Sequence, residues 1–516
     1  MPADLRALAR SVVCVGFAGD SAAAAPIAEL RAFAPGGVIL FARNVGVGAE
    51  LRDLIAELRT CGDVPPLIAI DQEGGRVARI TDDTVAALPS PMAVAATGDT
   101  GLCERLGMLL GRDLARLGIT VDFAPCADLA LDARNTVIGT RSYGELPHRV
   151  AQFSSAFARG LERGGVAAAI KHFPGHGATH VDSHLALPRI DVDADTWRTR
   201  DLVPFAGAIA EEAASIVMTA HIVLTALDSE SPATLSRRIL TGVIRDELGF
   251  AGVVVTDCLE MDAIAEGIGT AAGALRALAA GADLLLISHQ LDRAYEAVDL
   301  IVGAVEEGTL PLARLEQAAA RVAALRMHLA SKLPFAGELD ADAPIDAARR
   351  AVTVLRGDVR LVDDKPVTVI SFEGTIADGA AGTRTEHYSL SSALRARRWK
   401  SEVMRVALDP DEDDMDLLLA HVPALGARNF IVVVRRAHLY PRQAQAVGRI
   451  LDAVPDAIVL SVREPYDAAL FPQALRLACI YGDERLSFDG CADVLSGRAV
   501  AGGRLPVSID RNATVR

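Results

Sequence analysis

Short apolar, β-branched runs recur along the first two thirds of the chain, and between them lie stretches whose apolar residues return every three or four positions. The runs fall at 11–17, 37–41, 67–71, 120–124, 167–173, 215–222, 252–257 and 282–287. The intervening stretches, such as 49–59, 100–117, 148–163 and 271–280, are rich in Ala, Leu, Arg and Glu and read as amphipathic helices. Strand–helix alternation implies parallel strands joined by right-handed crossovers. Eight repeats fit a (β/α)8 TIM-like barrel better than an open sheet. A helical stretch at 316–333 closes this unit, and 334–344 is rich in Gly, Pro and Asp. After one more helical piece, 347–355, a second series begins, with strands expected at 367–372, 402–407, 430–434, 457–462 and 478–481. Helical segments at 411–419 and 441–453 space them, which predicts a smaller doubly wound α/β sandwich. The expected organisation is a barrel over residues 1–333, a linker over 334–346 and a second α/β domain over 347–516.

Composition narrows the function classes. The chain has 516 residues, 51% of them hydrophobic, enough for large cores and incompatible with global disorder. A formal charge of −15 argues against nucleic acid or an anionic membrane as the main partner. No apolar run reaches the roughly 18 residues of a membrane span, and the first residues lack the pattern of a secretory leader. The seven cysteines are scattered without CxxC spacing, as expected of reduced thiols in a cytoplasmic protein. Nothing in the sequence indicates an oligomeric state.

The chemistry concentrates just past the expected strand ends. Residues 171–184 read KHFPGHGATHVDSH, with Lys171, four histidines (His172, His176, His180, His184) and Asp182. Histidines four apart suggest a metal-binding helix. Pro174, Gly175 and Gly177 interrupt that pattern, however, and favour a loop whose polar side chains converge on a pocket. Asp71 and Arg79, in DQEGGRVAR, offer groups for gripping a polyol, although an Asp cap on a turn explains the former equally. Arg141, in IGTRSYG, is a candidate donor or a surface ion-pair member. His221, in MTAHI, lines the site or packs beneath it. Asp257 follows the β-branched run VVVT, the place for a strand-fixed nucleophile or for a helix N-cap. Cys258 beside it reads as a buried small residue. Glycosidic cleavage needs a nucleophile or base on one side and a proton donor on the other. Asp257 meets the first need and His184 the second, with Asp182 two residues away able to orient the imidazole in a non-helical loop.

KHFPGHG followed by four residues and DSH resembles the signature of the bacterial β-N-acetylglucosaminidase (NagZ-type) branch of glycoside hydrolase family 3. DQEGGRVAR, IGTRSYG and VVVTDCLEM match its other landmarks in order. The resemblance implies a retaining two-step hydrolysis of non-reducing-end N-acetylglucosamine, from peptidoglycan fragments or chitin-type oligosaccharides. Asp257 would be the nucleophile and His184 the general acid/base, with Asp182 as its partner. Asp71, Arg79, Arg141, Lys171 and His172 would bind the sugar, with no metal or organic cofactor. Two features depart from the pattern. Ala178 stands where a polar residue is frequent, and a second domain follows the barrel, with REPYD (463–467) and GGRLPVSI (502–509) resembling landmarks of other branches. Competing readings are a phosphorylase using the same Asp/His site, since a neutral histidine repels phosphate less than a carboxylate, another exo-glycosidase, and a non-catalytic carbohydrate-binding protein.

Overall fold

The structure, a computed structural model, describes residues 4–46, 48–179, 187–374, 388–422 and 428–509. Eight strands form the first sheet: β1 (Val13–Val15), β2 (Gly37–Leu40), β3 (Leu67–Ile70), β4 (Val121–Asp122), β5 (Ala167–Phe173), β6 (Ile216–Thr219), β7 (Val253–Val255) and β8 (Leu285–Ile287). All neighbours are parallel, in the order β8-β1-β2-β3-β4-β5-β6-β7. A bridge between Val255 and Leu284 brings the two ends together, so the sheet is a nearly closed barrel. Each expected run in the first two thirds contains one of these strands. A short parallel ribbon, Arg189–Ile190 with Val223–Leu224, lies outside the barrel.

Strands buried on both faces read as continuous apolar runs because each alternate residue has its own core to fill. Cys14, Ile39, Ala69, Ala169, Met218 and Val255 belong to one core, and Val15, Leu40, Ile70, Ile170, Val217 and Val254 to the layer beneath the helices. Helix Leu312–Ser331 adds Val322, Leu325 and Leu329 to the first of these cores.

Helices Thr100–Leu117 and Pro147–Gly164 flank the strands that carry the site residues. The first is N-capped by the Asp99 carboxylate, which accepts from Leu102 N at 2.8 Å. The pair packs backbone to backbone: a Cβ on Gly107 would lie 2.4 Å from Phe157 O, and one on Gly160 2.2 Å from Glu104 O.

The second sheet has six strands: β9 (Thr353–Arg356), β10 (Val367–Glu373), β11 (Ser401–Ala407), β12 (Asn429–Val434), β13 (Ile458–Ser461) and β14 (Arg476–Cys479). Their order is β9-β14-β13-β12-β10-β11, parallel except for the antiparallel β9–β14 pair. Along β12, Phe430, Val432 and Val434 enter a core shared with the barrel's Met92, Ala96 and Ala130, while Ile431 and Val433 face the opposite core. The sheet therefore separates two cores, one of them the inter-domain contact. Two local expectations need correction. The helix expected at 347–355 runs from Ala343 to Ala351, beginning inside the segment read as a linker, because Pro344 can start a helix. Thr353–Arg356 then forms the extra edge strand β9, its β-branched Thr and Val suiting a strand.

Gly160→Ala is expected to destabilise the barrel by about 1–3 kcal/mol through overpacking against Glu104 O. Thermal or urea unfolding of the two proteins checks it, and equal midpoints would contradict the backbone-contact reading.

Candidate active site

The barrel mouth encloses a cavity of about 560 Å³ that Asp71, Arg79, Arg141, Lys171, His172 and Asp257 all help to line. They arrive on different elements. Asp71 directly follows β3, Lys171 and His172 lie on β5, and Asp257 comes two residues after β7. Arg141 ends a short 3₁₀ turn, Gly139–Arg141. Asp182 and His184 lie at 180–186, outside the described residues.

A charge cluster organises one wall. Lys171 Nζ lies 2.7 Å from Asp71 Oδ1 and 2.7 Å from Glu73 Oε1. Arg141 grips Glu73 with both prongs, Nε to Oε2 at 2.9 Å and Nη2 to Oε1 at 2.7 Å. Arg79 approaches the outer oxygen of Asp71 at 3.4 Å. Burial opposes every charge here, but the partners prevail. Lys171 is raised above its ordinary value by Asp71 and Glu73, and Asp71 and Glu73 are held below the usual carboxylate range by the cations. The wall thus offers fixed N–H donors and carboxylate acceptors, the complement of a ring bearing several hydroxyls.

His172 is oriented from both sides. Its Nδ1 lies 2.6 Å from Asp128 Oδ2 and its Nε2 3.2 Å from Arg141 Nη2. The ring is thus held between a carboxylate on one nitrogen and a guanidinium on the other, which sets its orientation. Asp128 also accepts from His176 N at 2.6 Å. Burial would raise the Asp128 carboxyl, but the two histidines and the backbone N–H bring it down to about 2. His176 is buried, with Nδ1 2.8 Å from Thr179 Oγ1, and burial lowers it to about 4.

Beside Asp257, its own Oδ1 accepts from Cys258 N at 2.7 Å. The Cys258 thiol contacts Ser288 Oγ at 2.9 Å and burial pushes it up to about 11, so it stays protonated. His221 packs rather than lining the cavity, with its ring between Thr234 Oγ1 at 2.9 Å and Cys258 O at 2.8 Å. Among the described residues the one grouping of donors near enough to share a metal is Cys126, Asp128 and His172. Those atoms already engage one another, with the Cys126 thiol 3.3 Å from Asp128 Oδ2. Sequence reading passed over Glu73, Asp128 and Arg76. Glu73 lies inside the quoted DQEGGRVAR, yet only the fold shows that it, not Asp71, holds Arg141.

A parallel α/β barrel whose mouth joins a strand-end carboxylate to a wall of paired charges is an architecture that glycoside hydrolases use, and glycoside hydrolase is the class of this chain. The chain belongs to glycosyl hydrolase family 3: residues 17–325 match the family model "Glycosyl hydrolase family 3 N terminal domain". It is 38% identical over 320 residues to the protein named β-hexosaminidase A of Pseudoalteromonas piscicida, covering 57% of this chain and 53% of that one. The β-hexosaminidase of Chromobacterium violaceum is 39% identical over 294 residues, covering 56% of this chain and 81% of the relative. The solved structure of a family 3 β-N-acetylglucosaminidase from Paenibacillus sp. str. FPU-7 superposes with a TM-score of 0.90 at 33% identity, covering 99% of each chain. No described helix is long and apolar enough to cross a membrane.

The lowered Asp128 and His176 give an acid-sensitive site. Asp128, depressed to about 2, contributes stability that is complete above its ordinary value of 3.8 and lost as pH falls toward 2. His176, buried neutral, costs stability as pH falls from 6.5 toward about 4, because only the unfolded chain takes up its proton readily. His176→Asn is expected to flatten the decline of melting temperature between those two values. Parallel melting curves against pH for the two proteins would rule out that contribution.

Proposed function

We propose that the chain is a retaining exo-β-N-acetylglucosaminidase, releasing non-reducing-end β-linked N-acetylglucosamine from cell-wall fragments or chitin-type oligosaccharides. The observation that carries this reading is the convergence of Asp257 with the Lys171–Asp71–Glu73–Arg141 wall around one cavity. The sugar specificity draws support from the names of the relatives, β-hexosaminidase and β-N-acetylglucosaminidase.

In the proposed mechanism Asp257 attacks the anomeric carbon and forms a glycosyl ester while His184, paired with Asp182, protonates the leaving oxygen. His184 then takes a proton from water, which hydrolyses the ester with net retention. Asp71, Arg79, Arg141, Lys171 and His172 bind the glycone, and the catalytic unit is assigned to residues 1–333. A substrate-assisted route would need a carboxylate pair free to orient the 2-acetamido group. Asp71 and Glu73 are adjacent carboxylates in the cavity, but Lys171 and Arg141 occupy both, which favours Asp257 acting alone.

The test is chromophore release from p-nitrophenyl N-acetyl-β-D-glucosaminide with and without inorganic phosphate. Wild type should turn over at a rate indifferent to phosphate, Asp257→Ala should be inactive, and His184→Ala should lose about a hundredfold to ten-thousandfold. A 2-deoxy-2-fluoro sugar should add its mass to Asp257. Turnover that climbs with phosphate would mark a phosphorylase, and activity persisting in Asp257→Ala would sink the mechanism.

A further inference from the structure

The barrel loop at 133–141, which delivers Arg141 and Val137 to the cavity, is gripped from two sides. On the barrel side, Arg76 Nη2 donates to the carbonyls of Thr136 at 2.9 Å, Val137 at 2.6 Å and Ile138 at 3.2 Å. Asn135 Nδ2 donates to His176 O at 2.9 Å, joining the loop to the turn that follows β5. On the other side the contacts come from the second domain. His438 Nε2 lies 3.0 Å from Ala133 O, and its Nδ1 lies 2.6 Å from Asp467 Oδ1. Arg436 Nη2 donates to Thr136 O at 3.3 Å, and the same guanidinium holds Glu464 through two contacts of 3.1 Å. Glu464 lies directly against Gly139, where a Cβ would fall 2.2 Å from its Oε1, and Gly139 itself takes φ 45°.

Arg436, His438 and Glu464 follow the carboxyl ends of β12 and β13, the edge at which doubly wound sheets place functional groups. Arg436 has a left-handed backbone, φ 52°, and the Arg436 and Glu464 side chains are each only 2% exposed. A strained, buried, charged edge pressed onto a substrate loop is more than generic packing requires.

We propose that Arg436, His438 and Glu464 are positioning residues for glycone recognition. They fix loop 133–141, and with it the placement of Arg141 against Glu73 and His172, so that the barrel's sugar site is complete only with the second domain docked. This rests on the reading of Arg141 as a sugar-binding residue.

The test compares full-length Arg436→Gln, Glu464→Gln and His438→Ala with a control at the same inter-domain contact but away from the loop. That control is Arg350→Gln, which breaks the 3.0 Å pair with Asp99. For each, kcat and KM on p-nitrophenyl N-acetyl-β-D-glucosaminide and the melting temperature are measured. The loop-facing variants should raise KM about tenfold or more, as expected when a binding group is misplaced, with kcat changed less than about threefold. Arg350→Gln should lower the melting temperature at unchanged KM. If Arg436→Gln does not fold, Glu464→Gln and His438→Ala decide the matter. KM values for the loop-facing variants matching Arg350→Gln overturn this inference alone. Wild type inactive on this substrate overturns the functional reading and this inference with it.

Discussion

In the barrel mouth two cations and two carboxylates are locked together largely out of solvent: Lys171 and Glu73 are 2% and 1% exposed, and the contacts joining Lys171 to Asp71, Lys171 to Glu73 and Arg141 to Glu73 are each 2.7 Å. Removing any one member leaves the buried cluster with an unbalanced charge, which costs about 3–5 kcal/mol, whereas the complete cluster is near neutral for stability. The cluster therefore has one low-energy arrangement. Because its members come from the end of β3, the loop after β4 and β5, that arrangement fixes how three crossover units meet. Donors held in this way need no reorganisation when a ligand arrives, which is the condition for electrostatic preorganisation.

The same logic extends outward in shells. Asp128 fixes the His172 ring and the His176 N–H at once, so the turn leaving β5 is pinned to the loop after β4. Arg76 and Asn135 tie the loop at 133–141 to the β3 turn and to the backbone after β5. The second domain abuts this outer shell through His438, Arg436 and Glu464 rather than the cavity itself, and none of the three lines the cavity. Among the described residues, then, the second domain meets the site through the loop that carries Arg141 and not through a side chain in the cavity.

The barrel was legible because both-face burial leaves a run of apolar β-branched residues that no surface loop imitates. Val253–Val255, ending in Thr256 and Asp257, is the clearest case. The edge strand β9 was missed because Thr353–Arg356 continues without a break from a helix and has an exposed Val354, so its pattern carries little hydrophobic signal. Asp71, Arg79, Arg141, Lys171, His172 and Asp257 were legible as polar groups at strand ends, and all line the cavity. Glu73 and Asp128 were not, since their importance lies in partners 68 and 44 residues away in the chain, a relation that only the closed barrel creates. Arg436 was illegible for the same reason at longer range, and Glu464 lay inside the quoted REPYD stretch with nothing there to show its barrel contact.

The charge balance of the finished cavity bears on what it can bind. Its described lining includes four cations, Arg43, Arg79, Arg141 and Lys171, and five carboxylates, Asp71, Glu73, Asp257, Glu260 and Asp262. Two of the cations are already committed to Asp71 and Glu73 at contact distance. Arg43 donates to the carbonyls of Phe17 at 3.0 Å and Ser288, which fixes its side chain against the wall. In the free cavity the described carboxylates outnumber the cations by one, whereas in the proposed glycosyl-enzyme Asp257 is a neutral ester and the four cations balance the four remaining carboxylates. The feature that stabilises the wall, mutual neutralisation of its charges, thus suits it to an uncharged ligand whose hydroxyls meet donors and acceptors already held in place.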